Sequence, residues 1–280
     1  MELELKKVEV LKLQEGETIF EADVFNNAIL LYAKKVTKIK LWFAKLNPEK
    51  NDSNNFPIFN EIKFSDNQFG LASPGANLNS EQSKIRFHFE SPYIYEQIYD
   101  LDVENEKPLL LESSKLLGKP FKSHRYDISL VYAPGHDGVT IPITLLHRKG
   151  DLDSNDRPRF YGDEKKILLR TYGCYGMDSE LQFNISDWSL LEREWIIAFA
   201  HIRGGGELGK KWHEGGLKDK KLNSVLDIVS CAQFLIAEGF THPSILCASS
   251  NSAGAGLLAS AVNIRPDLFK VYFYNKNLRQ

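Results

Sequence analysis

The residues best suited to covalent chemistry lie late in the sequence. Ser252 sits in Ser250-Asn251-Ser252-Ala253-Gly254, between a run read as a strand (Ser244-Ile245-Leu246-Cys247-Ala248) and a run read as a helix (Ala253 to Ile264). A serine on a sharp strand-to-helix turn exposes its hydroxyl as a nucleophile, and the usual form of that elbow is G-x-S-x-G. The turn crowds the backbone, so small residues are needed two before and two after the serine. Gly254 meets this need. Ser250 replaces the first glycine and carries a Cβ, which predicts strain in the elbow. The helix that follows directs its N-terminal N–H groups at the site, where they can stabilise an oxyanion. Serine is also a favoured helix N-cap, so the local pattern leaves a nucleophile and a cap both open. Ser249 and Ser250 compete on paper, but neither has a glycine two residues later.

A second chemical pattern is Gly204-Gly205-Gly206-Glu207-Leu208-Gly209, which matches G-x-G-x-x-G after a strand. A dinucleotide site requires a helix to open there and an acidic residue about 20 positions on, at the end of the next strand. Here Lys210-Lys211-Trp212-His213-Glu214-Gly215-Gly216 follows, with no apolar helix face, and Asp227 falls inside a predicted helix. The alternative is a loop whose backbone needs positive φ. All seven histidines (His88, His124, His136, His147, His201, His213 and His242) precede Ser252. In an α/β-hydrolase the base follows the nucleophile in the chain, so these read as surface or structural residues. His213-Glu214 is followed by Gly215-Gly216-Leu217 and is not an H-E-x-x-H metal motif. Cys174, Cys231 and Cys247 are odd in number and far apart, which gives neither a disulfide framework nor a zinc site.

The elements that must position these residues change character along the chain. Up to about residue 112 the pattern is β. Ala28 to Ala33 and Lys38 to Ala44 are short strands joined by Lys34-Lys35-Val36-Thr37; Lys84 to Phe89 alternates polar and apolar residues; Ile94 to Leu101 follows a Ser91-Pro92 break. Leu109 to Pro120 reads as a linker. Val131-Tyr132-Ala133 and Ile141 to His147 flank the hairpin signal Gly135-His136-Asp137-Gly138, and Asp151 to Arg159 is a polar loop. Strands and helices then alternate. Lys166 to Arg170 and Trp195 to His201 are strands; Ser186 to Arg193 is helical, with Ser186 or Asp187 as its cap. Asn223 to Glu238 is helical through Val225, Ile228, Val229, Ala232, Leu235 and Ile236, capped by Asn223 and ended by Gly239. This alternation predicts a mostly parallel sheet with helices on both faces.

Composition excludes several classes. The chain has 280 residues, 42% hydrophobic and 26% charged, with a net charge of −2 from 35 basic and 37 acidic residues. A nucleic-acid partner would call for a basic excess. A membrane span needs about 20 apolar residues, and no run approaches that. Met1-Glu2-Leu3-Glu4-Leu5-Lys6-Lys7 lacks the apolar core of a signal peptide. A reduced, cytoplasmic protein is expected.

Taken together, the motifs resemble the prolyl oligopeptidase family, closest to its oligopeptidase B and prolyl-endopeptidase-like branch. The similarity rests on His201-Ile202-Arg203-Gly204-Gly205-Gly206-Glu207-Leu208-Gly209 running on to Gly216, on Leu235-Ile236-Ala237-Glu238-Gly239-Phe240-Thr241, and on Ser252-Ala253-Gly254 with Asn263-Ile264-Arg265-Pro266-Asp267-Leu268-Phe269. It is strong from Tyr126 to Lys270 and weaker over the β region. The resemblance implies an α/β fold class: a partial α/β-hydrolase fold, the N-terminal half of a peptidase domain over residues 113–280, preceded by a partial β-propeller over 1–112. A propeller blade takes about 40–45 residues, so that fragment would hold about two blades. The family implies a serine peptidase for short peptides, with no cofactor and no metal. Carried over residue by residue, Ser252 is the nucleophile, Ala253 N–H is one oxyanion donor, and Tyr172 in Tyr172-Gly173-Cys174-Tyr175-Gly176 gives the second through its hydroxyl. Ser250, Asn251 and Gly254 complete the elbow.

The sequence departs from the family at Ser250 and after Lys270, where it reads Val271-Tyr272-Phe273-Tyr274-Asn275-Lys276-Asn277-Leu278-Arg279-Gln280 in place of the expected apolar strand and loop. The family's catalytic aspartate and histidine fall beyond Gln280, and the β region starts mid-propeller. A chain truncated at both ends is therefore expected to be inactive alone. Two other readings are a non-catalytic truncated isoform acting as an interaction module, and a nucleotide-binding enzyme using the glycine loop. The last would require NAD or NADP to raise the melting temperature; the expected outcome of a thermal-shift titration is no change.

Overall fold

The computed structural model describes residues 11–46, 56–65, 68–114, 122–158, 165–179 and 181–275. The chain divides into two compact units, Met1–Ser91 with Tyr95–Ser114, and Pro92–Ile94 with Lys115–Gln280.

The first unit holds two four-stranded sheets, each in sequence order. One comprises β1 (Glu17–Val24), β2 (Ala28–Lys35), β3 (Lys38–Lys45) and β4 (Asn60–Ile62); the other comprises β5 (Leu71–Pro74), β6 (Lys84–Ser91), β7 (Ile94–Asp102) and β8 (Lys107–Ser113). The predicted four-residue link between β2 and β3 shortens to Val36-Thr37, with buried Val36 at φ 58°. Positive φ is costly for a β-branched residue, and burial of its side chain offsets that cost. Phe64 sets its ring edge-on to Phe87, Phe89 and Tyr99 of β6 and β7, at centroid distances of 5.3, 5.0 and 5.5 Å. Buried Glu17 accepts hydrogen bonds from Lys40 Nζ at 3.2 Å and Trp42 Nε1 at 2.7 Å. The expected linker from Leu109 is corrected in its first part: Leu109 to Ser113 belongs to β8, paired antiparallel with β7. From residue 115 to Pro120 that linker lies outside the described residues, as do Met1 to Lys7 and Arg159 of the polar loop.

The second unit is built on one six-stranded sheet. Its strands are β9 (Tyr126–Pro134), β10 (Thr140–Arg148), β11 (Ile167–Thr171), β12 (Ile196–Ala200), β13 (Leu246–Asn251) and β14 (Val271–Asn275), in the spatial order β14-β13-β11-β12-β10-β9. Four are parallel, as the β/α alternation predicts, while the β9–β10 hairpin adds an antiparallel edge. Val271–Asn275, read as a departure, is an edge strand parallel to β13. All five residues of β12 are buried, as a central parallel strand requires.

Among the described residues four α-helices accompany the sheet: α1 (Ile185–Leu191), α2 (Lys210–Glu214), α3 (Lys221–Ala237) and α4 (Gly254–Ile264). The predicted α3 face is buried through Val225, Ile228, Val229, Ala232 and Leu235, and joins Leu257, Leu258 and Ala261 of α4 in one core with Ile143, Ile167, Leu169, Ala198, Leu246 and Ala248 of the sheet. Strand side chains alternate between faces. Arg170, next to Leu169, therefore points to the opposite face, where its guanidinium forms a two-pronged ion pair with buried Asp187 of α1 and lies 5.7 Å from the Phe199 ring centroid. Helices thus flank both faces. The caps differ from those expected. Asn184 caps α1 by accepting from Ser186 N–H at 3.0 Å. Asn223 does not cap α3, because its amide donates to Gly215 O. Gly239 does end α3: its N–H and that of Phe240 return to the carbonyls of Ile236 and Leu235.

Leu258 is fully buried between α4 and the sheet. Leu258→Ala should cost about 2–5 kcal/mol, read as a lower denaturant midpoint at unchanged slope; a loss under about 1 kcal/mol would contradict this packing.

Candidate active site

Parallel pairing of β11 with β13 sets Thr171 beside Ser250, so the chain leaves both strands at the same level. Tyr172 follows one strand and Ser252 the other, after Asn251 ends β13. Ser252 lies in the turn between β13 and α4 with φ 48°. A non-glycine residue in the left-handed region costs about 1–3 kcal/mol and persists only where its surroundings impose it. Ser252 is exposed. It does not cap α4: the cap position is Ala253, with no side-chain cap bond. Ala253 N–H has no hydrogen-bond acceptor among the described residues and heads the helix.

The small residues around Ser252 have distinct jobs. A Cβ at Gly254 would strike Ser250 Oγ and lie 2.8 Å from Tyr172 O and 3.0 Å from Tyr172 Cα. Glycine is needed because α4 begins against the Tyr172 backbone. Ser250 is 4% exposed, its φ is not positive, and its hydroxyl donates to Thr171 O at 2.7 Å. Neither Ser250 nor Asn251 has a positive φ, and Ser250 ties the two strand ends together. Ser249 is also buried, which removes it and Ser250 as competing nucleophiles.

Tyr172 is half-buried and packs on the main core. Burial, with smaller contributions from Cys174 and Tyr175, pushes its phenol pKa above the ordinary value of 10, so it stays a hydrogen-bond donor well into alkaline pH. The following loop rests on the glycine loop, backbone to backbone. A Cβ at Gly204 would collide with Gly173 O, and one at Gly206 with Gly176 O. Gly176 N–H donates to Gly204 O at 2.9 Å. The G-x-G-x-x-G run is thus filled by protein and has no open cradle, and the helix after it, α2, has five residues. Asp227, the acidic residue weighed for a ribose, lies within α3 and binds Arg203 N–H and the Arg203 guanidinium at 3.0, 2.9 and 2.6 Å. A cavity of about 870 Å³ opens beside the elbow, lined by Tyr172, Ser250 and Asn251 together with Arg170, Phe183, Phe199 and Phe273.

A model described as the prolyl oligopeptidase family matches residues 181–276. A prolyl endopeptidase-like protein of Xenopus laevis is 35% identical over 147 residues, which is 52% of this chain and 20% of that protein. Protease 2 of Moraxella lacunata is 24% identical over 265 residues, 95% of this chain and 36% of that one. Among solved structures, oligopeptidase B from Trypanosoma brucei with covalently bound antipain superposes with a TM-score of 0.78 at 28% identity, covering 95% of this chain and 36% of that one. The resemblance to the prolyl oligopeptidase family holds. The chain spans about a third or less of the length of these relatives, 20% and 36%.

Sequence reading missed the residues that support the Tyr172 loop. Buried Glu207, inside the glycine loop, accepts Ser179 N–H at 2.7 Å through Oε1, which also lies 3.2 Å from His201 Nδ1. His201 Nε2 is 2.7 Å from Thr144 Oγ1. A short loop motif with a glutamate among glycines was the available signal. His147 and His213 are likewise structural: His147 Nε2 meets Ser129 Oγ at 3.1 Å and His213 Nδ1 meets Gly204 O at 2.9 Å. Among the described residues no group of three His, Cys, Asp or Glu is placed to hold a metal, and no helix is long and apolar enough to cross a membrane.

Burial alone would push the Glu207 carboxyl up. The hydrogen bond and charge of His201, with Ser179 N–H, outweigh burial and hold it below the free value of 4.5. Its contribution is therefore complete above the unfolded value of 4.5 and is lost as pH falls through the folded pKa. Glu207→Gln should lower stability at neutral pH by about 1–3 kcal/mol and flatten the acid limb of the stability profile. Superimposable acid limbs for the two proteins would refute the coupling.

Proposed function

We propose that this chain carries the acyl-transfer centre of a serine peptidase acting on short peptides. Ser252 is the nucleophile. Its hydroxyl adds to the scissile carbonyl, its proton passes to a base, and the oxyanion is held by Ala253 N–H and the Tyr172 hydroxyl. The observation that carries this reading is the exposed, strained Ser252 on a strand–turn–helix elbow whose second glycine abuts the Tyr172 backbone. The high phenol pKa suits Tyr172 to donate without ionising.

The finer assignments belong to the same proposal. The six-stranded unit is the first half of an α/β-hydrolase fold, and the two four-stranded meanders are propeller blades. Family likeness and the four-strand count per sheet support this. Peptides as substrates follow from the same likeness. The interaction-module and nucleotide-binding readings are not favoured.

No histidine follows Ser252 in these 280 residues, and the family's chain order places the base after the nucleophile. The chain alone should hydrolyse a peptide substrate negligibly. At about pH 9, where hydroxide can serve as base, a fluorophosphonate should label Ser252 in preference to every other serine. Tyr172→Phe should slow that labelling by about 10²–10³-fold. Peptide turnover that vanishes in Ser252→Ala would contradict the missing base, and labelling spread over other serines would contradict the nucleophile.

A further inference from the structure

Helix α3 starts in an unusual way. Its first residue is Lys221, its N-cap makes no side-chain bond, and its first turn holds no acidic residue. A cation at a helix N-terminus faces the positive end of the macrodipole, so something other than helix stability must account for it. Lys221 has no carboxylate partner among the described residues. Its Nζ instead donates to Gly173 O at 2.7 Å, across 48 positions of sequence. Nζ also lies 3.0 Å from where a Cβ on Gly204 would sit, so that glycine leaves the ammonium its route.

The next residues of the same turn behave alike. Asn223 Nδ2 donates to Gly215 O at 2.9 Å and Ser224 Oγ to Arg203 O at 2.6 Å. The first turn of α3 is thus a peg that holds three loop carbonyls in the core-backed frame of a long helix. Lys221 is the member that reaches the residue after Tyr172. Its charge is not among the causes of the Tyr172 shift, which are burial, Cys174 and Tyr175; its influence runs through the backbone.

We propose that Lys221 is a positioning residue that fixes the Gly173 carbonyl and thereby aims the Tyr172 hydroxyl at the oxyanion, an inference that rests on the assignment of Tyr172 above. A charge-assisted bond to a carbonyl is stronger than a neutral one, which suits the tether nearest Tyr172 on a glycine-rich loop held further along at Gly176 and Ser179.

The test is a double-variant cycle on the 280-residue chain, read as the rate of fluorophosphonate labelling of Ser252 at about pH 9, with hydrogen exchange of the loop 173–179 in parallel. Lys221→Met should slow labelling about ten-fold and speed loop exchange, while β11, β13 and the body of α3 keep their protection. Lys221→Arg, which keeps a charged donor, should recover most of the rate. In a Tyr172→Phe background, Lys221→Met should cost nothing further. Full additivity of the two variants, an unchanged rate in Lys221→Met, or loss of protection throughout the unit would each overturn the positioning role. Tyr172→Phe with a wild-type rate would instead overturn the oxyanion assignment on which the inference rests, so the two failures are told apart by the single variants.

Discussion

Two close backbone contacts at the C-terminal ends of the parallel strands set the rest of this site. Helix α4 begins against Tyr172 with only Gly254 between them, and the loop after Tyr172 lies on Gly204 and Gly206 with no side chain interposed. Three chain segments distant in sequence are therefore stacked as backbone on backbone. A single added methyl at any of these positions would separate layers whose relative placement defines the chemistry. The parallel register of Thr171 with Ser250 delivers the segments to the same level, and the Ser250–Thr171 hydrogen bond closes the ends of the strands.

Such a stack contributes little apolar burial of its own, so the surrounding structure must hold it. The core shared by α3, α4 and the sheet supplies a rigid floor. Buried polar groups then fix the loops. Arg203 joins Asp137 of the β9–β10 turn to Asp227 of α3. Glu207 joins His201 to Ser179, and Lys221 reaches Gly173. Buried ion pairs are weak sources of net stability but lose several kcal/mol when one partner is removed. Here the Arg203–Asp227 and Glu207–His201 pairs hold the loops around Tyr172 in place.

Much of this was legible in the sequence because periodicity and turn chemistry agreed. The α3 face, the all-apolar β12 and the Gly239 stop each follow from local pattern, and so does the serine between strand and helix. Other features depended on contacts the local pattern does not encode. Leu109 to Ser113 looks like a link between Pro108 and Pro120, and becomes a strand because β7 offers it a partner. Asn223 and Ser186 look like caps; the Asn223 amide donates to the distant Gly215 carbonyl instead, and Asn184 caps α1. The glycine loop resembles a phosphate cradle because close approach demands glycine whether the neighbour is a ligand or a carbonyl. Ser250, read as a flaw in the elbow, is instead the tie between its two strands. Glu207 and Lys221 carry no local signal of their targets, since both act across loops.

Ser252, Ala253 N–H and the Tyr172 hydroxyl are proposed to converge on one reacting carbonyl. A crystal structure of the chain phosphonylated at Ser252 tests it most directly, because the phosphonyl group stands in for the tetrahedral intermediate. One phosphonyl oxygen should lie within about 2.7–3.1 Å of both Ala253 N and the Tyr172 hydroxyl. A phosphonyl group turned to solvent, with neither donor in contact, would contradict it.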